Sequence, residues 1–230
     1  MSEPMKNPPA RKTQTAKRNY QKEMEKVLDA AVRDGSVPTL FLHSCCAPCS
    51  SYVLEYLSQY FSITVFYYNP NISPKEEYEA RTEEVQRLIR ELPAVHPIRF
   101  VEGKYDPECY YEAVRGHEKD PEGGERCGIC FEMRLREAAK LAAEGGYDWF
   151  TTTLTISPLK NAGRLNTIGQ AMGEEYHVAF LPSDFKKKEG YKRSIELSAQ
   201  YHLYRQNYCG CVFSKREREE QMQKERQETS

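Results

Sequence analysis

Apolar residues along this chain recur at two alternating spacings. Met24, Val27, Leu28 and Ala31 form a helical stripe, and Gly35 follows it where a residue without a Cβ suits the end of a helix. The short apolar run at 39–42 predicts a buried strand, and Val53, Leu54, Leu57 and Phe61 mark one face of a helix starting near Ser50 and Ser51. A second strand is predicted over 63–68, ending at Asn69-Pro70, then a helix carrying Tyr78, Val85, Leu88, Ile89 and Leu92, then a strand at 98–101. Phe131, Leu135, Ala138, Ala139 and Ala142 define a further helix stopped by Gly145-Gly146, and the threonine- and aromatic-rich stretch 149–154 reads as a strand. A helix over 162–172, a last core strand at 178–181 stopped by Pro182, and a helix around 195–204 complete the pattern. Helices alternating with short, continuous apolar runs predict an α/β domain with a largely parallel sheet buried on both faces.

The ends of the chain break this pattern. Residues 1–19 carry Lys6, Arg11, Lys12, Lys17 and Arg18 against Glu3, with prolines and no apolar run, and are expected to be a disordered basic tail. Residues 215–230 hold as many basic as acidic side chains and almost no apolar ones, so a charged tail or frayed, solvated helix is expected there. One catalytic domain over 20–214 is the expected organisation, within the size range of a single core. At 29% charged residues, and without any run approaching the ~20 apolar residues of a membrane-spanning helix, the chain is expected to be soluble with no membrane partner. The beginning of the sequence has no apolar segment before Val27-Leu28, unlike a secretory signal, and the expected location is the cytoplasm.

That location changes what eight cysteines imply, because cytosolic thiols stay reduced and clustered ones serve metals or redox chemistry. Cys45, Cys46 and Cys49 follow the first predicted strand, where ligands collect in open parallel sheets. Neighbouring thiolates on such a loop can both face a metal, with Pro48 stiffening it; burial as small apolar residues is the alternative. Cys127-Gly128-Ile129-Cys130 sits directly before the helix of Phe131, where unpaired N–H groups favour anionic thiolates. With Cys45 and Cys46, the pair Cys127 and Cys130 supplies four thiolates, enough for structural zinc or an iron–sulfur cluster, and spacing does not choose between them. Cys209 and Cys211 flank Gly210 and read as a redox-active dithiol, with metal ligation or packing as alternatives. Cys109 stands alone.

Three other features bear on function. The whole chain carries a net charge of −1, so attraction to nucleic acid has to come from a local patch. Lys186, Lys187, Lys188, Lys192 and Arg193, interleaved with Tyr191, form the candidate RNA surface, against the alternative of a solvated helix face. Asp184, after the last core strand, is a candidate acid–base group or partner of a basic side chain, with a helix cap as the alternative. His43 at the end of the first strand either serves the site or is a hydrogen-bonded structural residue.

Taken together, several motifs carry a resemblance. They are His43-Ser44-Cys45-Cys46-Ala47-Pro48-Cys49, Asn69 to Ile72 with Tyr78 and Arg81, and Arg126 to Cys130 with Arg134-Leu135. Thr152-Thr153-Leu154 with Ser157-Pro158, Asp184-Phe185-Lys186 with Gly190-Tyr191, and Tyr204 to Cys211 complete the set. This set resembles the epoxyqueuosine reductases of the QueH type, over about 40–214. The resemblance implies reduction of the epoxide of epoxyqueuosine to the alkene of queuosine at the tRNA wobble position, the last step of queuosine synthesis, without cobalamin. It implies a [4Fe–4S] cluster on Cys45, Cys46, Cys127 and Cys130, and a redox-active disulfide between Cys209 and Cys211; no ligand role is carried onto Cys49. It also implies a Rossmann-like sheet of the adenine-nucleotide α-hydrolase (HUP) type. The glycine-rich phosphate loop of that superfamily's ATP-using members is replaced here by Ser44 to Cys49, so no use of ATP is expected.

These implications lead to further expectations. Cys209, Cys211 and Asp184 are the expected catalytic residues, tRNA bearing epoxyqueuosine the partner, and an external donor the source of electrons. An iron beside the cluster is a further candidate, as a Lewis acid for the oxygen that leaves. Neutralising Lys186, Lys187, Lys188, Lys192 and Arg193 is expected to weaken RNA binding in a salt-dependent way. The rival readings are a tRNA-thiolating enzyme on the same fold and a zinc-stapled RNA-binding module.

Overall fold

The computed structural model describes residues 18–228. The basic tail expected over 1–19 lies outside them except for Arg18 and Asn19, and Asn19 caps the first helix by accepting from Lys22 N at 3.2 Å. In chain order the elements are α1 (Tyr20–Asp34), β1 (Thr39–Ser44), α2 (Ala47–Leu57), β2 (Ser62–Tyr67), α3 (Lys75–Glu91), β3 (Ile98–Glu102), α4 (Pro107–Ala113) and α5 (Glu125–Glu144). Then follow β4 (Trp149–Thr152), a 3-10 turn (Thr153–Ile156), α6 (Ala162–Tyr176), β5 (Ala179–Phe180), α7 (Gly190–Gln200) and α8 (Val212–Glu228). Gly35 closes α1 at φ 62°, as its position after the apolar stripe predicted.

All five strands run parallel in the order β3-β2-β1-β4-β5. The alternation of side chains along a strand splits the core in two. Leu40 and Leu42 of β1 join Leu54, Leu57, Val65 and Val85 on one face, while Phe41 joins Phe131, Leu135, Phe150 and Leu165 on the other. This doubly covered sheet is the α/β architecture that the alternating pattern predicted. Winding reverses between β1 and β4, and the loops beyond their carboxyl ends therefore part to leave a crevice. Among the described residues no helix is long and apolar enough to cross a membrane.

Three helices begin earlier than the apolar pattern suggested: α2 at Ala47, α5 at Glu125 and α7 at Gly190. Pro48 therefore lies in the first turn of α2 instead of stiffening a loop, and Cys127 and Cys130 lie within α5 instead of before it. Proline is favoured in a first turn, where its missing N–H is not needed. These turns are built from cysteine, glycine, proline and charged residues, which leave no mark in hydrophobic periodicity. At the other end, α8 starts as a docked helix: Phe213 and Ser214 are buried, and Glu217 reaches back to Arg126 Nη2 at 2.7 Å.

The far end of the sheet is tied by one buried amide. Asn166 on α6 donates to the carbonyls of Ala162 (2.7 Å) and Ser183 (2.8 Å) and accepts from Ser183 N at 2.9 Å. Asn166→Leu strips both Ser183 groups of their partner in a dry site, and a stability loss of roughly 2–4 kcal/mol is expected in urea unfolding. A loss under about 1 kcal/mol would show that the tie is dispensable.

Candidate metal centre and active site

The site is built where β1 runs into α2. Cys46 is the N-cap of α2 in extended conformation (φ −173°), and no side chain caps the helix, so the thiols of Cys46 and Cys49 lie at the positive end of its dipole. Cys49 lies three residues on, on the same side of the first turn. The sulfurs of Cys45, Cys46 and Cys49 all lie within 4.8 Å of one another, with Cys45 and Cys46 3.7 Å apart. All eight cysteines carry free thiols. Cys45 also meets the turn after β4, its N–H at 3.4 Å and its sulfur at 3.6 Å from Thr153 Oγ1.

The carboxyl end of β1 is held from below by buried polar groups. Asn69 donates to the Ser44 carbonyl at 2.9 Å and accepts from Arg134 Nη2, while Ser44 and Ser50 share a hydroxyl contact of 2.7 Å. His43 is fully buried, with Nδ1 at 2.8 Å from Thr152 Oγ1 and Nε2 at 3.1 Å from the Tyr68 carbonyl. Burial, and then the nearby Arg134 charge, lower its pKa to about 3, so it stays neutral. This is the structural role of the two that its position allowed.

Electrostatics set the three thiols apart from one another. Hydrogen bonds from Cys46 and Cys49 hold the Cys45 thiol well below its ordinary pKa against the effect of burial, helped by the charges of Arg134 and Lys160. In turn the interaction with Cys45 and burial push Cys46 up to about 12, and Cys49 is raised well above its ordinary value for the same reasons. Of the three, Cys45 is the thiol whose ionisation the surroundings favour. Burial works against the charge of Lys160, yet Cys209, Cys45 and Cys49 outweigh it and raise its pKa.

A cavity of about 200 Å³ opens over these sulfurs. Cys45, Cys46 and Cys49 form its floor with Cys209, Arg81 and Lys160, and Tyr191 and Tyr208 line its walls. The cavity thus joins the first cysteine cluster to one member of the Cys209 and Cys211 pair. Arg81, 2% exposed, holds the approach: it donates from Nε to Glu77 (2.7 Å) and from Nη1 to the Cys209 carbonyl (3.1 Å). Gly210 has φ 126°, and a Cβ there would lie 3.0 Å from both Arg81 Nη1 and Ile72. Cys211 turns the other way and packs with Cys130, Tyr110, Val114 and Phe213.

The remaining residues expected from the sequence are distributed unevenly around this centre. Cys127 accepts from Gly123 N at 3.2 Å, and Cys130 lies 3.8 Å from Arg134 Nη1; neither belongs to the close trio, whose third member is Cys49. The three-residue step from Cys46 to Cys49 carried that signal, but it becomes readable only once a helix begins at Ala47. Asp184 does not line the cavity; it pairs with Lys186 at 2.9 Å, and Lys186 Nζ donates to the Thr155 carbonyl at 2.9 Å. The basic stretch is largely neutralised: Lys186 faces Asp184, Lys188 faces Glu25, Lys192 faces Glu189 and Arg193 faces Glu55, which leaves Lys187 without an ion pair among the described residues. The sequence marks neither Lys160 nor Tyr208 with a role at the thiols; both enter through tertiary structure alone.

Fold and site together define a parallel α/β protein with a cluster of free thiols, able to hold a metal ion, over a crevice at the switch point of its sheet. A family profile described as epoxyqueuosine reductase QueH matches residues 40–217. Proteins named epoxyqueuosine reductase QueH are similar over most of their length: that of Staphylococcus epidermidis is 44% identical over 207 residues, covering 88% of this chain and 87% of the relative. That of Streptococcus pyogenes is 44% identical over 198 residues (85% and 78%), and that of Thermotoga maritima 37% over 188 residues (79% and 93%). The chain belongs to the epoxyqueuosine reductase QueH family.

Proposed function

We propose that this chain reduces the epoxide of epoxyqueuosine to the alkene of queuosine at the wobble position of tRNA. The observation that carries the reading, beside family membership, is one cavity in which Cys209 meets the floor of Cys45, Cys46 and Cys49. The reaction consumes two electrons and two protons, breaks both carbon–oxygen bonds of the epoxide and releases water. A dithiol closing to a disulfide gives up two electrons and two protons, so Cys209 and Cys211 match the stoichiometry. An external donor then reopens the disulfide.

Cys45, Cys46, Cys127 and Cys130 would hold a [4Fe–4S] cluster, which when bound supplies single electrons beside the substrate. The donor set suits such a group, being all sulfur and served by two cations, the buried Arg134 and the half-buried Lys160 on the cavity surface. Cys49 completes the floor next to it and is available to a further iron. Lys160 lies on the cavity surface, where its ammonium can donate a hydrogen bond to the oxygen as it leaves. Tyr191 and Tyr208 give the cavity aromatic walls for a base. Asp184 enters through Lys186, whose bond to Thr155 braces the turn behind Cys45. Lys187 meets the RNA backbone first, with Lys186, Lys188, Lys192 and Arg193 exchanging carboxylates for phosphates.

The test is an anaerobic single turnover of the reconstituted protein with tRNA containing epoxyqueuosine and a chemical reductant, with the nucleosides read by mass spectrometry. At least one queuosine formed per protein is expected. No conversion by protein that holds its full iron and sulfide overturns the reading. A colourless protein holding only zinc would favour an RNA-binding module instead.

A further inference from the structure

Among the described residues three arginines are almost completely buried, Arg81 at 2%, Arg126 at 1% and Arg134 at 1% exposure. Burying a guanidinium is costly unless an anion and hydrogen bonds replace its water. Two of the three meet that condition with carboxylates. Arg81 is paired with Glu77 and Arg126 with Glu217, each at 2.7 Å.

Arg134 has no such partner. Its Nε lies 3.2 Å from His43 Nε2, its Nη2 donates to the Asn69 side chain, and its Nη1 lies 3.8 Å from the Cys130 sulfur. A histidine carries no negative charge in any protonation state here and an asparagine carries no charge, so neither balances it. Among the described residues no carboxylate lies within ion-pair distance of this guanidinium, and the groups of acidic chemistry that act on it most strongly are the thiols of Cys130, Cys45 and Cys209. Lys160, a second cation, faces Cys209, Cys45 and Cys49 from the cavity side and repels Arg134. Two cations without carboxylates thus face one set of thiols. A tetrathiolate metal group, whether an oxidised [4Fe–4S] cluster or zinc, is doubly negative and would balance both.

We infer that Arg134 is the positioning residue and counter-charge of the thiolate metal group, holding it from the protein side and favouring its more reduced state. The inference rests on the metal-binding reading of the site proposed above. The physical reason is direct: a fixed positive charge behind the sulfurs stabilises the added electron, and in a dry site that interaction is little screened. The guanidinium spends its three nitrogens on three different neighbours. Nε meets the histidine at the strand end, Nη2 the asparagine that holds Ser44, and Nη1 the sulfur of Cys130. Arg134 therefore couples the geometry of the β1 loop to that of α5, the two elements that carry the proposed ligands.

The test compares wild type, Arg134→Gln and Arg134→Lys by two readouts. In dye-mediated redox titration of the loaded protein followed by electron paramagnetic resonance, Arg134→Gln is expected to disfavour reduction by about a hundredfold, a fall of about 120 mV at 59 mV per tenfold for one electron. Arg134→Lys keeps the charge and is expected to recover most of that shift. In the second readout, zinc taken up by the metal-free protein in competition with a chelator is expected to bind roughly a hundredfold more weakly to Arg134→Gln, and near the wild-type affinity to Arg134→Lys. An unchanged potential and zinc affinity in Arg134→Gln overturns the inference. So do equal losses in both variants, or loss of all metal from both, since these assign Arg134 a purely structural role. A wild type that takes zinc but builds no cluster sinks the iron–sulfur reading alone, and the zinc comparison still decides the role of Arg134.

Discussion

Cys209→Ala is expected to abolish conversion of epoxyqueuosine while leaving the metal content at the wild-type level. Cys209 shares the cavity with the trio but is not part of it, and its backbone is fixed independently by the Arg81 bond to its carbonyl. Removing its sulfur takes away half of the dithiol proposed to supply electrons and protons, and touches none of the proposed ligands. The loss of turnover is expected to exceed the roughly 10–100-fold that removal of an outer-shell group costs a metal site. Cys45→Ala is expected to differ in kind. It removes a proposed ligand and the member of the trio whose ionisation its surroundings favour, so iron content and conversion fall together. Iron analysis and single-turnover mass spectrometry on the two variants separate these roles. Wild-type conversion by Cys209→Ala would end the assignment of this pair as electron store.

Gly190→Ala is expected to be among the most destabilising substitutions of a single methyl group in this chain. A Cβ at Gly190 would lie 2.1 Å from the Phe185 carbonyl oxygen and 2.4 Å from the ring of Tyr52. The first contact is backbone and cannot swing away. Lys188 and Glu189, just before it, already adopt the left-handed region at φ 50° and 60°, conformations that cost non-glycine residues energy. This tight turn brings the start of α7 against α2, and Tyr191 in its first turn lines the same cavity as Cys49. Overpacking of this kind costs about 1–3 kcal/mol, and contact with fixed backbone places Gly190→Ala at or above the upper end. Urea midpoints compare it with Gly146→Ala, where φ is 65° but the space is open, so that only the backbone term of about 1 kcal/mol is expected. Equal effects of the two substitutions would show that packing at Gly190 is unimportant.

The sequence carried the core legibly, because burial on both faces of a sheet leaves continuous apolar runs and burial of one helix face leaves stripes. It did not carry the first turns of α2 and α5, and the proposed ligands Cys127 and Cys130, with Cys46 and Cys49, lie at or in those turns. Cys-Ala-Pro-Cys and Cys-Gly-Ile-Cys contain too few large apolar residues for periodicity to register, so their helical state depends on docking against the sheet edge. For the same reason Cys49 had no assigned role until Ala47 proved to be the first residue of a helix. The candidate RNA surface shows the converse limit. Lys186 to Arg193 is basic along the chain, but Glu25 and Glu55, more than a hundred residues away in sequence, meet Lys188 and Arg193 in space.

By itself the sequence determined the alternating α/β order, the thiol chemistry at the end of the first strand and the family motifs, since these depend on residue type and short spacing. Only the tertiary structure decided that Cys209 and the first cysteine cluster share one cavity, that Lys160 faces them, and that among the described residues Arg134, unlike the buried Arg81 and Arg126, has no carboxylate partner. Those facts depend on which loops meet at the switch point of the sheet, and on the charges that long-range packing brings together or keeps apart.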